Sequence, residues 1–257
     1  MEKEFKYTNA VIAVPLFFVL SMWLVYWFEI RFHYNFVTNG ILPREISGLQ
    51  GVLFSPFIHS NLGHLYNNSI PLLVLLAALQ YFYPRHSFAV ICYGILSSGL
   101  LTWLIGRTSY HIGASGLIYV LVGFIFFKGV LTRYYRLVAL SLTVIVLYGG
   151  MIWYVLPDVD NSISWEGHLA GLVSGVAFAI ILKSPEYKKV PKYEWELPEY
   201  DVAEDKFMQR FDENGNFVNL PEEAIEEKEV VYSYFTGDIR VNYSYVERSI
   251  ASDSEFN

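Results

Sequence analysis

Two polar residues stand at the start of separate apolar segments and could together carry hydrolytic chemistry. Ser115 follows Gly113 and Ala114 at the head of one apolar run, and His168 begins another. Serine and histidine are costly to bury in a membrane and are rare there, so each indicates a functional site. A histidine within reach of a serine can accept the hydroxyl proton and make the oxygen nucleophilic. The pair therefore predicts an intramembrane hydrolase.

A second polar group lies at the start of an earlier apolar segment. His64 and Asn68 are four residues apart, so on a helix they share one face. An imidazole and a carboxamide side by side can donate hydrogen bonds to a developing oxyanion, as the tetrahedral intermediate of acyl transfer requires. His59 lies five residues before His64, and we expect it to hold a loop or a helix by a hydrogen bond.

Small residues follow the second histidine at helical spacing. Gly171 and Gly175 fall on the same helix face as His168. Together with Gly167 they form overlapping small-xxx-small pairs, which allow two membrane helices to approach closely. If the helix that packs on these glycines is the one that begins at Ser115, the serine and the histidine can meet.

Composition favours a membrane protein with an acidic tail. The 257 residues are 54% hydrophobic and 18% aromatic, and the net charge of -7 argues against a nucleic-acid partner. From Lys183 onward lie 18 of the 25 acidic residues and 9 of the 18 basic residues. Residues 1–182 contain the other seven acidic and nine basic residues. We therefore expect a short N-terminal segment, 1–10, a slightly basic membrane domain, 11–182, and a soluble acidic tail, 183–257.

Six apolar segments predict six membrane helices. They lie at about 11–30, 64–82, 88–105, 115–127, 137–156 and 167–182. Several approach the ~20 residues that a membrane-spanning helix needs. The fourth segment ends early, at Lys128, which predicts that Ser115 begins about 10 Å below the outer surface. The first is expected to be retained, because no small-x-small cleavage site follows it.

Lysine and arginine define an orientation. With the N-terminus inside, the inner segments contain Lys3, Lys6, Arg85, Lys128, Arg133, Arg136, Lys183, Lys188 and Lys189. The outer loops contain only Arg31, Arg44 and Arg107. By the positive-inside rule both termini are expected in the cytoplasm. In the tail, Val230–Tyr245 is rich in aromatic and β-branched residues and predicts short strands.

Three motifs resemble those of the rhomboid family. The first is Gly113-Ala114-Ser115-Gly116 followed by Tyr119, which is similar to the family's Gly-x-Ser-Gly motif. The second is His59, His64 and Asn68, which have the His-x4-His-x3-Asn spacing of its second helix. The third is the stretch 167–175, which resembles Ala-His-x-x-Gly-x3-Gly on its sixth helix, with glycine for alanine. The resemblance covers roughly residues 10–182.

The resemblance implies an all-α, six-helix membrane bundle that acts as a serine protease without a metal or cofactor. Ser115 would be the nucleophile and His168 the general base. His64, Asn68 and the backbone amide of Ser115 would form the oxyanion hole. Tyr119 would pack against His168. The remaining motif residues would orient or support the site: Gly113, Gly116, His59, Gly171 and Gly175. The resemblance also implies transmembrane protein substrates, cut near the outer face of a bacterial cytoplasmic membrane.

Some features depart from the family pattern. The Trp-Arg signature of the first loop is missing, and Asn35–Glu45 is a weak substitute. The fifth loop is acidic, with Asp158, Asp160 and Glu166, which we expect to be solvated charges. His111 is expected to be a polar loop residue.

Other functions are open. His59, His64 and His168 could bind a metal. However, no His-Glu-x-x-His run supplies the paired ligands and base of a metalloprotease. No pair of aspartates on the helices indicates an intramembrane aspartyl protease. A non-catalytic relative that escorts membrane proteins is a third possibility. A transporter fits less well, because the polar residues cluster near one end of the helices. The oligomeric state stays open.

Overall fold

The chain divides into two compact units, Met1–Lys192 and Tyr193–Asn257. The computed structural model describes residues 5–157, 159, 163–184, 193, 195, 197, 200–205 and 207–218. These residues form seven α-helices and no β-strand, with two isolated β-bridges. The predicted all-α membrane protein is thereby confirmed. The strands predicted at 230–245, together with Asp158 and Asp160, lie outside the described residues.

The helices follow the predicted apolar segments closely. They are α1 Ala10–Phe32, α2 Gly51–Phe54, α3 Leu62–Phe82, α4 Ser87–Ile105, α5 Ser115–Thr132, α6 Tyr135–Tyr148 and α7 Trp165–Ile181. By length and composition, five stretches could cross a membrane: α1, α3, α4, α5 and the continuous stretch Tyr135–Val155. Helix α7 is also apolar but has only 17 residues. Lengths alone therefore do not establish the predicted count of six crossings.

Side-chain caps define where two of the site helices begin. Asn61 Oδ1 accepts from the backbone N–H of His64 at 2.8 Å and caps α3. Ser164 Oγ accepts from the N–H of Gly167 at 3.1 Å and caps α7. Such caps satisfy donors that the first helical turn leaves without a partner. Helix α5 differs, because its N-cap residue, Ala114, has no side chain able to do this.

Helix α5 is longer than predicted, because Lys128 does not mark its end. The side chain of Lys128 is buried, and its Nζ donates to the carbonyls of Ala179, at 3.1 Å, and Leu182. These carbonyls lie at the C-terminus of α7, where a cation is favourable. At 18 residues, α5 is about 27 Å long. Its length therefore does not by itself place Ser115 below the outer surface, as the sequence argument proposed.

The fifth apolar segment is α-helical only as far as Tyr148. From Gly149 to Val155 it continues as a 3-10 helix. This segment begins with two glycines, which favour the helical conformation less than other residues do. Two carbonyl groups of this segment, those of Met151 and Tyr154, contact side chains of α5 and α7.

Helices α5 and α7 form the centre of the bundle and touch through their backbones. A Cβ atom on Gly171 would lie 2.2 Å from the carbonyl oxygen of Gly116, and one on Gly175 would lie 2.3 Å from that of Val120. No side chain fits in this space, so the contact requires glycine. The glycines of the histidine helix therefore pack on the helix that begins at Ser115.

An ion pair between the partly exposed Arg107 and the buried Glu166 fastens the start of α7 to the loop after α4. Glu166 is only 2% exposed, and its Oε1 accepts from the backbone N–H of Arg107 at 3.1 Å. The guanidinium of Arg107 lies 3.9 Å from the same oxygen and donates to the carbonyl of Ile163 at 2.6 Å. The expectation that Glu166 is a solvated loop charge is wrong, because the loop after α4 folds over it.

His111 lies in the loop between α4 and α5, as expected, and its side chain is buried. Its backbone pairs with that of Ile41 in both directions, at 2.8 and 3.0 Å. Its Nδ1 lies 2.6 Å from Ser164 Oγ, and its Nε2 lies 3.0 Å from the carbonyl of Arg107. Burial lowers the pKa of His111 below its usual value. A neutral imidazole thus joins the first loop to the cap of α7.

Gly175→Ala is expected to lower the free energy of unfolding in mild detergent by about 1–3 kcal/mol. The new methyl group would overlap the Val120 carbonyl and force α5 and α7 apart. Gly150→Ala is the matched control, because a Cβ there meets nothing within 4 Å. Equal stability of the two variants would contradict the close packing.

Arg107→Ala is expected to destabilise the protein by about 1–3 kcal/mol, because it leaves the buried Glu166 carboxylate with fewer donors. The same substitution should cost less in a Glu166→Gln background, where no charge needs compensation. A double-mutant cycle on unfolding in detergent measures this coupling. Additive effects would mean that the ion pair does not contribute.

Candidate active site

Ser115 is the first residue of α5 and follows a turn that only glycine adopts readily. Gly113 has a φ of +103°, in the left-handed region, and its N–H donates to the carbonyl of Ser55 at 2.8 Å. The turn presents the half-buried Ser115 at the helix N-terminus. The first N–H groups of a helix have no intrahelical partner, and Ala114 provides no side-chain cap for those of α5. Such a terminus favours negative charge.

The two predicted oxyanion donors lie on the first turns of α3. A Cβ on Gly113 would lie 2.6 Å from His64 Nε2, so this imidazole rests against the backbone just before Ser115. The buried Asn68 donates from Nδ2 to the carbonyl of His64 at 2.8 Å. Its Oδ1 has no hydrogen-bond partner within the described part of the chain. The other hydrogen on Nδ2 of Asn68 takes no part in the bond to the His64 carbonyl.

His168 is held between Tyr119 and the 3-10 segment. The rings of Tyr119 and His168 stack with centroids 4.3 Å apart and planes 17° from parallel. His168 Nδ1 lies 2.9 Å from the carbonyl oxygen of Tyr154. The hydroxyl of Tyr119 donates to the carbonyl of Met151, one turn earlier in the same segment, at 2.6 Å.

The contact between α5 and α7 places Ser115 and His168 at the same height along the helix axes. Gly171 touches the Gly116 carbonyl, and His168 lies one turn before Gly171, on the side of Ser115. Among the described residues, no hydrogen bond joins the Ser115 hydroxyl to His168. Catalytic hydrogen bonds are often long without substrate and shorten when it binds.

His59 lies behind His64 and away from the serine helix. Its side chain is 2% exposed, and its ring centroid lies 5.0 Å from that of His64. Its Nδ1 lies 3.4 Å from the carbonyl of Phe57, and Nε2 has no partner among the described residues. Burial, and then the neighbouring His64, lower the pKa of His59 to about 4. It is therefore neutral at physiological pH.

A small cavity with both polar and apolar lining residues adjoins Ser115. Its volume is about 40 Å³, enough for a water molecule by the usual measure of about 10–15 Å³. Hydroxyl-bearing residues that line it are Ser55, Ser98, Thr102, Ser115 and Ser164, together with His111.

The geometry gives no support to a metal site. No group of three histidine, cysteine or acidic side chains that could hold a metal ion occurs among the described residues. His59, His64 and His168 come from two helices and a loop, and Tyr119 and the Tyr154 carbonyl surround the last of them.

Several residues around the site were not identified from the sequence. Ser164 could have been recognised as a cap, because serine is a preferred N-cap residue. The ion pair of Arg107 and Glu166 joins positions 59 residues apart, and no local pattern indicates it. The contact with the Tyr154 carbonyl involves a backbone atom, whose direction the sequence does not encode.

Comparisons with known proteins agree on one family. The model of the rhomboid domain matches residues 47–185. An uncharacterized protein of Mycobacterium tuberculosis is 40% identical over 163 residues, 58% of this chain and 66% of that protein. An uncharacterized protein of Mycobacterium leprae is 34% identical over 186 residues, 67% of this chain and 72% of that protein.

A third relative is named after the same family. A putative rhomboid protein of Acanthamoeba polyphaga mimivirus is 29% identical over 146 residues, 54% of this chain and 79% of that protein. The chain spans just under two thirds of the length of the first mycobacterial relatives, 66%. Because the family model covers more than half of the chain and spans α2 to α7, this integral membrane protein belongs to the rhomboid family, whose members are generally intramembrane serine proteases.

Proposed function

We propose that this protein is an intramembrane serine endopeptidase with a Ser115–His168 dyad. One observation carries the proposal. The ring of His168 stacks on Tyr119, four residues after Ser115, where α5 and α7 touch through their backbones. Residues four apart on a helix have Cβ atoms about 5–6 Å apart. An imidazole held over Tyr119 is therefore within a side-chain movement of the serine hydroxyl.

The dyad performs acyl transfer in two steps. Ser115 Oγ bonds to the scissile carbonyl carbon while its proton passes to Nε2 of His168, and the carbonyl electron pair moves onto oxygen. The intermediate collapses with protonation of the leaving amine by His168. Water then repeats the sequence on the acyl-enzyme and releases the acid. The cavity beside Ser115 supports this second step, because it is large enough for water and has hydroxyl-bearing residues in its lining.

The oxyanion hole has two sources. The uncapped N-terminus of α5 offers the backbone amide of Ser115, and helix termini of this kind favour a developing negative charge. From α3, His64 and Asn68 add side-chain donors. The contact of His64 with Gly113 supports its role, since it lies beside the turn that presents the serine.

The substrates we propose are transmembrane proteins, because the dyad belongs to helices apolar enough for a bilayer. Cleavage occurs near the outer face, at the N-terminal ends of α5 and α7. The distribution of lysine and arginine supports an orientation with both termini in the cytoplasm. In a bacterial cell this is the cytoplasmic membrane.

Ser115→Ala and His168→Ala are each expected to abolish cleavage of a model transmembrane substrate in liposomes. The first removes the nucleophile and the second its base. Wild-type protein should also react at Ser115 with a fluorophosphonate probe, and the His168→Ala variant should lose most of this labelling. Ser21→Ala is a matched control, because the hydroxyl of Ser21 donates to the carbonyl of Phe17 in its own helix. Proteolysis that persists without Ser115 would exclude the dyad.

Asn68→Ala is expected to lower kcat by about 10²–10³-fold with little change in KM, the usual cost of losing one oxyanion donor. The measurement is steady-state cleavage of the same substrate, with unfolding in detergent recorded in parallel. Asn67→Ala is the control, since Asn67 is the exposed neighbour on the same helix. A fall in kcat that only follows lost stability would assign Asn68 to the fold.

A non-catalytic rhomboid-like protein remains the competing function. Such a protein would bind transmembrane clients equally well with and without Ser115, and it would not react with the fluorophosphonate. Co-purification of a client with the Ser115→Ala variant alone does not separate the two functions, whereas product formation by the wild type does.

A further inference from the structure

We infer that the main-chain carbonyl of Tyr154 is a positioning group for His168 and takes the place of an acidic third member of the catalytic unit. The inference rests on the proposed dyad and concerns how its base is oriented. Its geometric basis is the 2.9 Å contact between His168 Nδ1 and the Tyr154 oxygen.

This contact fixes the tautomer of a neutral His168. A carbonyl oxygen can only accept a hydrogen bond, so Nδ1 carries the proton and donates it. Nε2 is then left with its lone pair. Nε2 is the atom that must accept the proton of Ser115. In serine proteases with three catalytic residues, a buried aspartate performs the same task at Nδ1.

The carbonyl is available because of Pro157. In a 3-10 helix, each carbonyl accepts from the N–H three residues later, and for Tyr154 that residue is Pro157, which has no N–H. The last such bond of the segment runs from the N–H of Leu156 to the carbonyl of Trp153 at 3.1 Å. The Tyr154 oxygen is thus the first in the segment without this partner, and it faces α7.

Tyr119 holds the segment that carries this oxygen. Its hydroxyl donates to the Met151 carbonyl at 2.6 Å, while its ring stacks on His168. The same tyrosine therefore fixes both the imidazole plane and the position of its acceptor. Two contacts at different atoms define the ring orientation more strictly than stacking alone.

No acidic group competes for this role within the described residues. Glu166 is the acidic side chain close enough to interact electrostatically with His168. Its Oε1 accepts from the backbone N–H of Arg107, and its Oε2 has no hydrogen-bond partner among the described residues. Nδ1 of His168 contacts the Tyr154 carbonyl and not this carboxylate. The other titratable groups around His168 are His64 on α3, Tyr119 on α5 and Tyr154 itself. From α4, the hydroxyl of Thr102 lies near Gly167 at the start of α7.

The first test reads the tautomer and needs no activity. In full-length protein in detergent at neutral pH, ¹⁵N NMR of labelled histidines should show His168 with a protonated Nδ1 and a bare Nε2. The signals are assigned by their loss in His168→Ala. The opposite tautomer would overturn the inference and leave the proposed protease function untouched.

The second test weakens the acceptor directly. Replacing Val155 by its α-hydroxy acid makes the carbonyl of Tyr154 an ester carbonyl, which is a poorer acceptor. We expect a roughly fivefold fall in kcat, the value of one ordinary hydrogen bond. The acidic limb of the pH–rate profile should also move to lower pH, because the imidazolium loses stabilisation.

The matched control replaces Trp153 by its α-hydroxy acid. This also removes one N–H from the 3-10 segment, but it weakens the carbonyl of Ile152, which does not contact His168 in the structure. It should keep the wild-type pH profile. Equal profiles for the two esters would overturn the inference.

A simpler variant weakens the same contact by adding a competing donor. Pro157→Ala supplies an N–H that competes with His168 for the Tyr154 oxygen, so it should lower kcat and shift the acidic limb in the same direction as the ester. If no protein form cleaves any substrate, the protease proposal fails, and the NMR result still decides the orientation of His168.

Discussion

The site depends on the direct backbone contact between α5 and α7. Gly171 and Gly175 bring their helix against the carbonyls of Gly116 and Val120, at distances that leave no room for a Cβ atom. In a bilayer, where lipid is as apolar as the side chains, such close packing is a main source of helix association. It also sets the spacing at which a histidine on one helix lies level with a serine on the other.

Irregular backbone around this contact supplies the polar groups. The turn at Gly113 leaves the N-terminus of α5 uncapped, and the 3-10 segment that follows α6 leaves the Tyr154 carbonyl free for His168. In an apolar environment unsatisfied backbone groups are costly, so they persist only where protein or water meets them. Here the same groups that interrupt regular helices surround the proposed reacting atoms.

Buried charges secure the helices at both ends. Lys128 donates to carbonyls at the C-terminus of α7, and Glu166 at its N-terminus is paired with Arg107. Removing the partner of a buried charge is costly. These contacts therefore make displacement of α7 unfavourable and so restrict where His168 can be.

The sequence alone determined the helical class, the approximate positions of the apolar helices and the family, because apolar runs and helical spacing are local properties of the chain. It also indicated that the glycine face of α7 would pack closely on another helix. Only the tertiary structure decided that this helix is α5, that Glu166 is buried and that Lys128 lies inside the bundle. It alone directed a main-chain carbonyl at His168. These outcomes join residues far apart in the chain, and burial and backbone direction are set by packing rather than by residue type.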